Sequence, residues 1–537
     1  MTRTLRHGRP PRLADVPAFR AAIASDWADA DAPVPVVPGA AAAAAGHRAA
    51  LGARLPGQRV VLASGTAPRR SGDTSYEFRA DSDVFWLTGC AAESAVVVLE
   101  PTATGHEATL YLPPPAGPGE AGFFADPDHG ELWIGPQPGL AAWSAALDLT
   151  VRPLAEPDSR AHRRSRACAL SSPSLRMVKD AWEVAQLRAA VEATLAGFHA
   201  VVAEVPAAMT HARGERWLQG TFDRHARTLG NGPGYASIVA SGPHAPTLHW
   251  TRCDGPILPG QALLLDLGVE VDSLYTADVT RTVPPSGRFS PVQRAVHDLV
   301  ERAHRAGLAA VRPGVSFSDF HHASMEVVAT GLSDWGLLPV SVDEALSPTG
   351  QHHRRYLACG VGHHLGLDVH DCLGTPREAH ADGTLAPGMA LTVEPGLYFH
   401  AHDLTVPPEP ARRRRAPGGR PARHLHGKRG ALRRAAHRRR RHRGLGAGDC
   451  RRPGALRACP PRAGPGGSVL APRMGAVDLP VMPPVQPMLA KAVSGVPDPA
   501  KHDPLGLSLR AQVGRLPLHP VQGRRRGGAW RAATPSR

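Results

Sequence analysis

The sequence predicts an α+β protein made of an α/β amino-terminal domain, a second domain of helices and hairpins, and a disordered basic tail. Three observations lead to this prediction. Between about residues 38 and 170, short β-rich runs alternate with helical stretches across Pro and Gly turns. From there to residue 409, amphipathic helices alternate with strands that contain acidic residues. Beyond residue 409 the composition changes abruptly.

The first domain is expected to span residues 1–170. Residues 1–36 are predicted to be a partly helical lead-in, and residues 59–63 and 94–99 are typical of buried strands. The segment 153–173 is rich in Pro and Arg, so we expect it to link the first domain to the second.

The second domain, residues 177–409, is predicted to begin with a long helix. Asp180 and Glu183 form a capping-box pattern at its start. Further helices are expected at residues 291–311 and 318–332. Six residues at helical spacing predict the apolar face of the first helix: Val184, Leu187, Val191, Leu195, Phe198 and Val202.

The basic tail differs from the rest of the chain in charge. Residues 1–409 contain 33 Lys and Arg against 43 Asp and Glu, whereas residues 410–537 contain 29 Lys and Arg, four Asp and no Glu. The tail also lacks Phe and Tyr, so it cannot bury enough apolar surface to offset its ordering entropy, and we expect disorder. A nucleic-acid-binding arm would explain the arginines. A shifted reading frame in a GC-rich gene also explains them, and we favour it because no aromatic residues are interleaved.

Other whole-chain features exclude several classes of protein. The seven cysteines form no Cys-x-x-Cys pair. The alanine run at residues 40–45 is too weakly apolar for a signal sequence, and no apolar run reaches membrane-spanning length. We therefore expect a cytoplasmic protein with no membrane partner.

Two segments of the second domain, residues 259–268 and 387–396, repeat one pattern. Each contains a Pro-Gly turn, a short apolar strand, a carboxylate and a glycine, with the carboxylate supplied by Asp266 or Glu394. This internal duplication places a carboxylate at the equivalent position of both copies, which suits a metal site on a pseudo-twofold axis.

A hairpin is predicted to follow the first copy. If strand 262–269 turns at residue 272 and returns over residues 274–283, Asp266 and Asp278 lie directly opposite each other, with Cβ atoms about 5 Å apart. Two carboxylates so close repel unless a cation or a shared proton compensates. Because both lie within apolar strand sequence, we favour a metal clamp over a pair of surface acids.

A Gly-rich segment, residues 360–371, contains several histidines. His363 and His370 are predicted to be metal ligands or acid/base groups. We interpret the other polar residues of the segment as structural: His364, Asp368 and Asp371.

Together these motifs resemble the pita-bread metallopeptidases, and within them the Xaa-Pro aminopeptidases (aminopeptidase P). Residues 276–282, 362–371 and 392–398 resemble the family's catalytic motifs. Residues 235–250 are similar to the family's segment that contains a proton-handling His. Residues 70–79 and 87–89 are similar to the family's amino-terminal domain. The resemblance covers roughly residues 15–409, and several independent motifs in order make it specific. It implies a pita-bread (creatinase/aminopeptidase) catalytic domain at residues 177–409, preceded by an aminopeptidase P-type domain.

The resemblance also implies a cofactor of two divalent ions, usually Mn²⁺, that activate a water. Carried over to this chain, Asp266 would bind one ion and Asp278 would bridge both. His363 and Glu394 would bind the other ion. Carboxylates with one imidazole suit Mn²⁺, although the spacing alone leaves Zn²⁺, Fe²⁺ and Co²⁺ open.

The catalytic roles implied by the resemblance fall on three residues. His249 and His370 would hydrogen-bond the substrate or the developing oxyanion, and Glu394 could also shuttle the proton. The substrates would be peptides with proline at the second position. We also expect a homo-oligomer and no nucleic-acid partner.

The chain departs from the family pattern after Glu394. The family has a fifth ligand, a Glu in an Arg-x-Glu-Asp strand, but this chain contains no Glu beyond Glu409. Asp403 and Glu409 bracket the expected position, although the prolines at 407, 408 and 410 argue against a paired strand there. We therefore expect a catalytic domain that lacks its final strands, with an open metal site and weak activity.

Two other functions stay open from the sequence. One is a non-catalytic pita-bread protein that binds nucleic acid through its basic tail. The other is a prolidase-like dipeptidase, which would need a dipeptide-sized pocket. The four metal ligands argue against creatinase-like members of the fold.

Overall fold

The computed structural model describes residues 12–28, 32–154, 174–376 and 382–400, together with the backbone of residues 488–489 and 492–493. Its amino-terminal domain contains a four-stranded sheet in the order β1-β4-β5-β6, antiparallel except for the parallel β5–β6 pair. The strands of this domain are β1 (Val60–Ala63), β2 (Arg69–Ser71), β3 (Thr74–Ser75), β4 (Val96–Thr102), β5 (Gly105–Leu112) and β6 (Thr150–Pro153). Its helices are α1 (Pro17–Ala24), α2 (Ala40–Arg54), α3 (Ser82–Thr88), α4 (Gly122–Ala125), α5 (Glu131–Ile134) and α6 (Leu140–Leu147). This agrees with the predicted α/β domain, while residues 155–173 of the expected linker lie outside the described residues.

The second domain begins with the predicted helix, α7 (Ala181–Ala208). The capping box of Asp180 and Glu183 is present in full. The predicted apolar face is only partly right, because four of its six residues are only half-buried and the buried stripe runs through Ala190, Thr194 and Gly197. A Cβ at Gly197 would lie 2.8 Å from the ring of Phe222 on α8 (Gly214–Leu229), so small residues are required for the close approach of these helices.

Three further helices follow later in this domain. They are α9 (Pro291–Ala310), α10 (Phe317–Asp334) and the short α11 (Val342–Leu346). Ser290 and Ser316 begin the first two with complete capping boxes, which confirms both predicted helices to within two residues at each end. Single 3₁₀ turns lie at Leu13–Asp15, Gly242–His244 and His352–Arg355. Among the described residues, no helix is both long and apolar enough to cross a membrane.

The first sequence repeat forms the centre of a three-stranded antiparallel sheet. The second domain's first strands are β7 (Gly232–Pro233), β8 (Ile238–Ser241), β9 (Leu263–Leu267), β10 (Val269–Glu270) and β11 (Val279–Val283), and three of them lie in the order β11-β9-β8.

The predicted register of this hairpin is wrong by two residues. Asp266 pairs with Thr280, not with Asp278. The turn is centred on Ser273 because Leu274 takes a left-handed φ of 63° and the amide of Val271 donates to the carbonyl of Tyr275. Asp266 and Asp278 are therefore diagonal neighbours, which still lie on one face of the sheet.

The second repeat begins with the same turn as the first. Gly260 and Gly388 both have left-handed φ angles, 82° and 90°, which a Cβ would strain. The strands of the second copy are β12 (Thr392–Val393) and β13 (Gly396–Leu397), so the carboxylate of Glu394 again lies at the end of a short strand.

Two strands from the tail pair with this second copy. β14 (Met488–Leu489) pairs with β13, and β15 (Ala492–Val493) pairs with β12. The sequence did not predict these pairs at residues 488–489 and 492–493. They supply backbone hydrogen bonds but no carboxylate. Asp403, Glu409 and the rest of the tail lie outside the described residues.

His47 on α2 joins the two domains at the start of α7. Its ring stacks on Trp86 at 4.2 Å, and its Nδ1 lies 2.7 Å from the Trp86 carbonyl, so Nδ1 must donate. Nε2 then faces Asp180 at 3.2 Å and Glu183 at 3.6 Å. Burial lowers the pKa of His47, but Glu183, the Trp86 carbonyl and Asp180 outweigh it and raise the pKa above its ordinary value of 6.5.

We expect the stability contributed by His47 to depend on pH. A His with a raised folded-state pKa stabilises fully below the unfolded pKa, and this contribution is lost as pH rises through the folded pKa. His47→Gln should therefore lower the free energy of unfolding more at about pH 6 than at about pH 9, measured by urea unfolding. The exposed His199 of α7 is the control, and His199→Gln should change the free energy of unfolding by less than about 0.5 kcal/mol. An equal loss from His47→Gln at both pH values would contradict the ion pair.

Candidate metal centre

Three of the predicted metal ligands converge at the ends of the repeat strands. His363 Nε2 lies 3.2 Å from Asp278 Oδ2 and 3.0 Å from Glu394 Oε1. Asp278 is fully buried, and Glu394 is only 8% exposed. The ligand atoms of these three residues lie within 4.8 Å of one another, which is close enough for one ion to contact all three.

Asp266 joins the group through Tyr235. The Tyr235 hydroxyl lies 2.7 Å from Asp266 Oδ1 and 3.1 Å from Asp278 Oδ1, so its single proton is shared between two carboxylates. Burial and both carboxylates raise the pKa of Tyr235 well above its ordinary range, which keeps it protonated as a donor. The four residues Asp266, Asp278, His363 and Glu394 therefore form one continuous polar cluster.

Thr392 orients two of these ligands at once. Its hydroxyl accepts a hydrogen bond from the His363 amide at 3.0 Å and donates to Glu394 Oε1 at 2.8 Å. Thr392 and Glu394 are two residues apart, so the strand period places both side chains on one face. The same threonine amide donates to the His363 carbonyl at 2.9 Å, which ties the histidine loop to the second repeat.

The His363 ring is held with its ligand nitrogen toward the carboxylates. Its Nδ1 lies 3.0 Å from the His364 carbonyl and must donate to it, which leaves Nε2 facing Asp278 and Glu394. Burial lowers the pKa of His363, but hydrogen bonds to these two carboxylates outweigh burial and raise it to about 10. A proton at Nε2 thus compensates the carboxylates, and a cation at the same place would do so with a higher charge.

The residues present fit a divalent cation. Carboxylate oxygens with a single imidazole form the donor set that hard divalent ions such as Mn²⁺ accept. Two carboxylates and an imidazole point their ligand atoms at one buried position, and burying that much negative charge without a cation is costly.

The two predicted catalytic histidines lie differently with respect to this cluster. The ring of His370 is 4.3 Å from the His363 ring in an edge-to-face arrangement, and its residue is exposed to solvent. His249 is exposed in the loop before Trp250. The structure thus brings together five of the six predicted site residues and leaves His249 on the surface.

Two residues of the site were missed from the sequence. Tyr235 follows Gly-Pro-Gly and lies 31 residues before Asp266, so no local spacing connects them. Thr392 could have been found, because alternation along a strand predicts that it shares a face with Glu394.

Comparisons with known proteins identify the family. The model of the metallopeptidase family M24 matches residues 185–423, and that of the aminopeptidase P amino-terminal domain matches residues 44–168. The chain is 44% identical over 411 residues to Xaa-Pro aminopeptidase 1 of Streptomyces coelicolor, covering 72% of this chain and 83% of the relative. This chain belongs to the Xaa-Pro aminopeptidase family of metallopeptidases. The family uses divalent metal ions, as the donor set requires.

Other relatives and solved structures agree with this family. Xaa-Pro aminopeptidase 3 of Mus musculus is 28% identical over 407 residues, covering 67% of this chain and 75% of the relative. A low-pH form of E. coli aminopeptidase P superposes with a TM-score of 0.58 at 26% identity, covering 68% of this chain and 89% of that one. A zinc-substituted E. coli aminopeptidase P with product has the same TM-score and identity and covers 67% and 87%. The predicted pita-bread fold and its amino-terminal domain are thereby confirmed.

Replacing Tyr235 with Phe should weaken metal binding without unfolding the protein. The change removes only the hydroxyl that donates to Asp266 and Asp278, so both carboxylates lose their orientation. Outer partners of metal ligands are typically worth about 10–100-fold in metal affinity or activity, and we expect a loss in that range. Isothermal titration with Mn²⁺ measures it. The exposed Tyr76 provides a control, since Tyr76→Phe should leave the affinity unchanged, and equal affinities for both variants would contradict the role of Tyr235.

Proposed function

We propose that this enzyme releases the amino-terminal residue from peptides that have proline at the second position, using two divalent ions, with Mn²⁺ as the preferred metal. The observation that supports this most strongly is the convergence of Asp266, Asp278, His363 and Glu394 within one polar cluster. The relatives that bear the name Xaa-Pro aminopeptidase at 44% identity support the same reaction.

The roles proposed for the ligands follow from their contacts. Asp266 would bind one ion, Asp278 would bridge both, and His363 with Glu394 would bind the second. When bound, the two ions would polarise the peptide carbonyl and lower the pKa of the attacking water. The bridging role is proposed because the two oxygens of Asp278 face different ligands: Oδ2 lies 3.2 Å from His363 Nε2, and Oδ1 lies 3.1 Å from the Tyr235 hydroxyl that also contacts Asp266.

The proton and the oxyanion would be handled by neighbouring side chains. Glu394 is oriented by the Thr392 hydroxyl and can accept the proton of the attacking water. His370 lies beside His363 on the solvent side, where it can donate to the substrate or to the oxyanion. His249 is exposed, so we propose that it contacts the substrate only after the peptide has bound.

We also propose that the activity is weaker than in relatives with a complete second hairpin. The fifth acid of the family pattern is absent, because the chain contains no Glu after Glu409. The tail strands that pair with the second repeat are Met-Leu and Ala-Val, and neither supplies an oxygen ligand from a side chain. The ion bound by Asp266 would consequently have fewer protein ligands than its partner.

The reaction is tested with the purified full chain and short peptides. We expect Mn²⁺-dependent release of the first residue from Xaa-Pro-Xaa peptides, no release from Xaa-Ala-Xaa peptides, and loss of activity with a chelator that Mn²⁺ restores. Hydrolysis confined to Xaa-Pro dipeptides would favour a prolidase-like enzyme instead. Failure to cleave any proline peptide at saturating Mn²⁺ would refute the proposed function.

The missing ligand is tested with a chimaera. Residues 410–537 are replaced by the corresponding carboxy-terminal segment of the Streptomyces coelicolor relative, which we expect to raise kcat. The control is the same chimaera in which the incoming acid that would match the fifth ligand of the family pattern is changed to its amide. Equal rates for the native chain and the two chimaeras would refute the role assigned to the absent Glu. A homo-oligomeric state and a cytoplasmic location stay predictions, which light scattering and cell fractionation would test.

A further inference from the structure

The loop that contains His363 and His370 has no regular secondary structure of its own. Residues 361–371 precede the second repeat in the chain. Backbone hydrogen bonds at residues 361, 363 and 365 hold them to it, and one at Gly366 holds them to the hairpin of the first repeat. The Glu394 amide donates to the Val361 carbonyl at 2.7 Å, and the Thr276 amide donates to the Gly366 carbonyl at 3.1 Å. Residues 367–371 follow these bonds and are anchored by side chains of other elements, so those anchors bear on how precisely His370 and the neighbouring ring of His363 are held.

One carbonyl connects the histidine ring to these anchors. The carbonyl of His364 accepts from His363 Nδ1 at 3.0 Å and also from the amide of Asp371 at 2.9 Å. The position of Asp371 therefore bears on the orientation of the His363 ring. Asp371 also directly follows His370, so one aspartate lies next to both histidines of the candidate site.

Asp371 is anchored by two buried cations. Its carboxylate accepts hydrogen bonds from Arg176 and from Lys179, the latter at 3.1 Å, and it is only 1% exposed. Burial raises the pKa of Asp371, but Lys179 and Arg176 outweigh burial and lower it to about 2. Asp371 is thus anionic at neutral pH, and its charge is compensated within the protein.

Arg176 connects this anchor to the amino-terminal domain. Its Nη1 donates to Asp83 on α3 at 2.8 Å, while its Nη2 donates to Asp371 and, at 2.9 Å, to Asp368. Asp83 is completely buried and Arg176 is 4% exposed. A planar guanidinium can join three carboxylates in this way, whereas the single ammonium of a lysine cannot reach them with the same geometry.

A second arginine also joins the amino-terminal domain to this loop. Arg79, just before α3, donates to the Leu367 carbonyl at 2.6 Å and to Glu270 at 2.7 Å. Glu270 belongs to the hairpin that contains Asp266 and Asp278. The amino-terminal domain therefore contacts both the loop of the histidines and the hairpin of the aspartates.

We propose that Arg176 is a positioning residue of the metal centre, which holds the loop of His363 and His370 in register by tying Asp371 and Asp368 to Asp83. The amino-terminal domain then forms part of the active-site scaffold through a buried ionic network. This inference rests on the proposed function only in taking His363 and His370 as site residues. Arg176 itself touches neither histidine, and it acts through Asp371 and the His364 carbonyl.

The experiment compares Arg176→Lys with a matched inter-domain pair. Arg227 on α8 donates to both carboxylate oxygens of Glu77, at 2.6 and 3.0 Å, and so also joins the two domains, but on the exposed surface and away from the loop. Arg227→Lys is the control. Asp83→Asn is a second, nearly isosteric variant in case Arg176→Lys does not fold.

Three readouts are taken on the full chain well below its unfolding temperature. They are the Mn²⁺ affinity by isothermal titration, the kcat and KM for an Xaa-Pro-Xaa peptide, and the deuterium uptake of residues 360–373 in metal-free protein. For Arg176→Lys we expect Mn²⁺ affinity or kcat to fall by about 10–100-fold, with faster deuterium uptake in the loop. Asp83→Asn should act in the same direction with a smaller effect, and Arg227→Lys should leave all three readouts unchanged.

Two outcomes decide between the inference and its failure. If folded Arg176→Lys and Asp83→Asn match the wild type in Mn²⁺ affinity and in loop deuterium uptake, the network is only structural and the inference is wrong. If the wild type neither binds Mn²⁺ nor cleaves proline peptides, the proposed function fails, and the loop deuterium uptake still decides the role of Arg176.

Discussion

Asp278→Asn is expected to lower Mn²⁺ affinity and kcat/KM by more than about 100-fold, beyond the range typical of outer partners. Asp278 is the fully buried carboxylate at the centre of the cluster, facing His363 Nε2 at 3.2 Å and the Tyr235 hydroxyl at 3.1 Å. An amide keeps the shape of the side chain but removes the negative charge and turns one acceptor into a donor. Isothermal titration with Mn²⁺ and peptide hydrolysis measure the two losses.

The control for this variant lies in the same hairpin. Asp272 is exposed in the turn, six residues before Asp278, so Asp272→Asn removes the same charge without touching the cluster. We expect its metal affinity and its kcat/KM to stay within twofold of the wild type (about 0.4 kcal/mol). If Asp278→Asn retained a tenth or more of the wild-type values, Asp278 would not be the shared ligand.

Glu183→Gln is expected to destabilise the protein by about 3–5 kcal/mol, the usual cost of breaking a buried charged network. Glu183 is 2% exposed and accepts hydrogen bonds from Tyr275 at 2.6 Å, Trp86 at 3.2 Å and the Asp180 amide at 2.8 Å. Its carboxylate also faces His47 at 3.6 Å. The Trp86 indole N–H and the Asp180 amide can only donate, and they bond different oxygens of Glu183, so an amide nitrogen leaves one of them without an acceptor.

Urea unfolding of the full chain measures this loss, and the melting temperature should fall by roughly 10 °C for a domain of this size. Glu192 lies on the exposed side of the same helix, and Glu192→Gln should change the free energy of unfolding by less than about 0.5 kcal/mol. Comparable losses from the two substitutions would mean that the contacts of Glu183 contribute little.

Much of the fold could be predicted from local patterns. The helices that begin at Ala181, Pro291 and Phe317 follow capping residues and helical periodicity, both of which act within a few residues of chain. The four candidate ligands were predicted from local signals: the repeats place Asp266 and Glu394 at equivalent strand ends, the hairpin brings Asp278 near Asp266, and a Gly-rich segment contains His363. The family resemblance then assigned their roles. Both of these signals are present in the amino-acid sequence.

The errors have a common cause. The hairpin register was predicted from a turn centred on residue 272, but the left-handed backbone of Leu274 moves the centre to Ser273. Leucine rarely adopts that conformation, so the sequence offers no warning of it. The face of α7 was likewise misplaced because large apolar residues were counted, whereas close packing against Phe222 selects small ones.

The sequence by itself determined the main helices, and it predicted the residues of the candidate metal centre. Only the tertiary structure decided what holds them there: Tyr235 between two aspartates, Thr392 between His363 and Glu394, and Arg176 between α3 and the histidine loop. These contacts join residues up to 195 positions apart. Local patterns record how a segment folds on its own, and they contain no information about which distant polar group will compensate a buried charge.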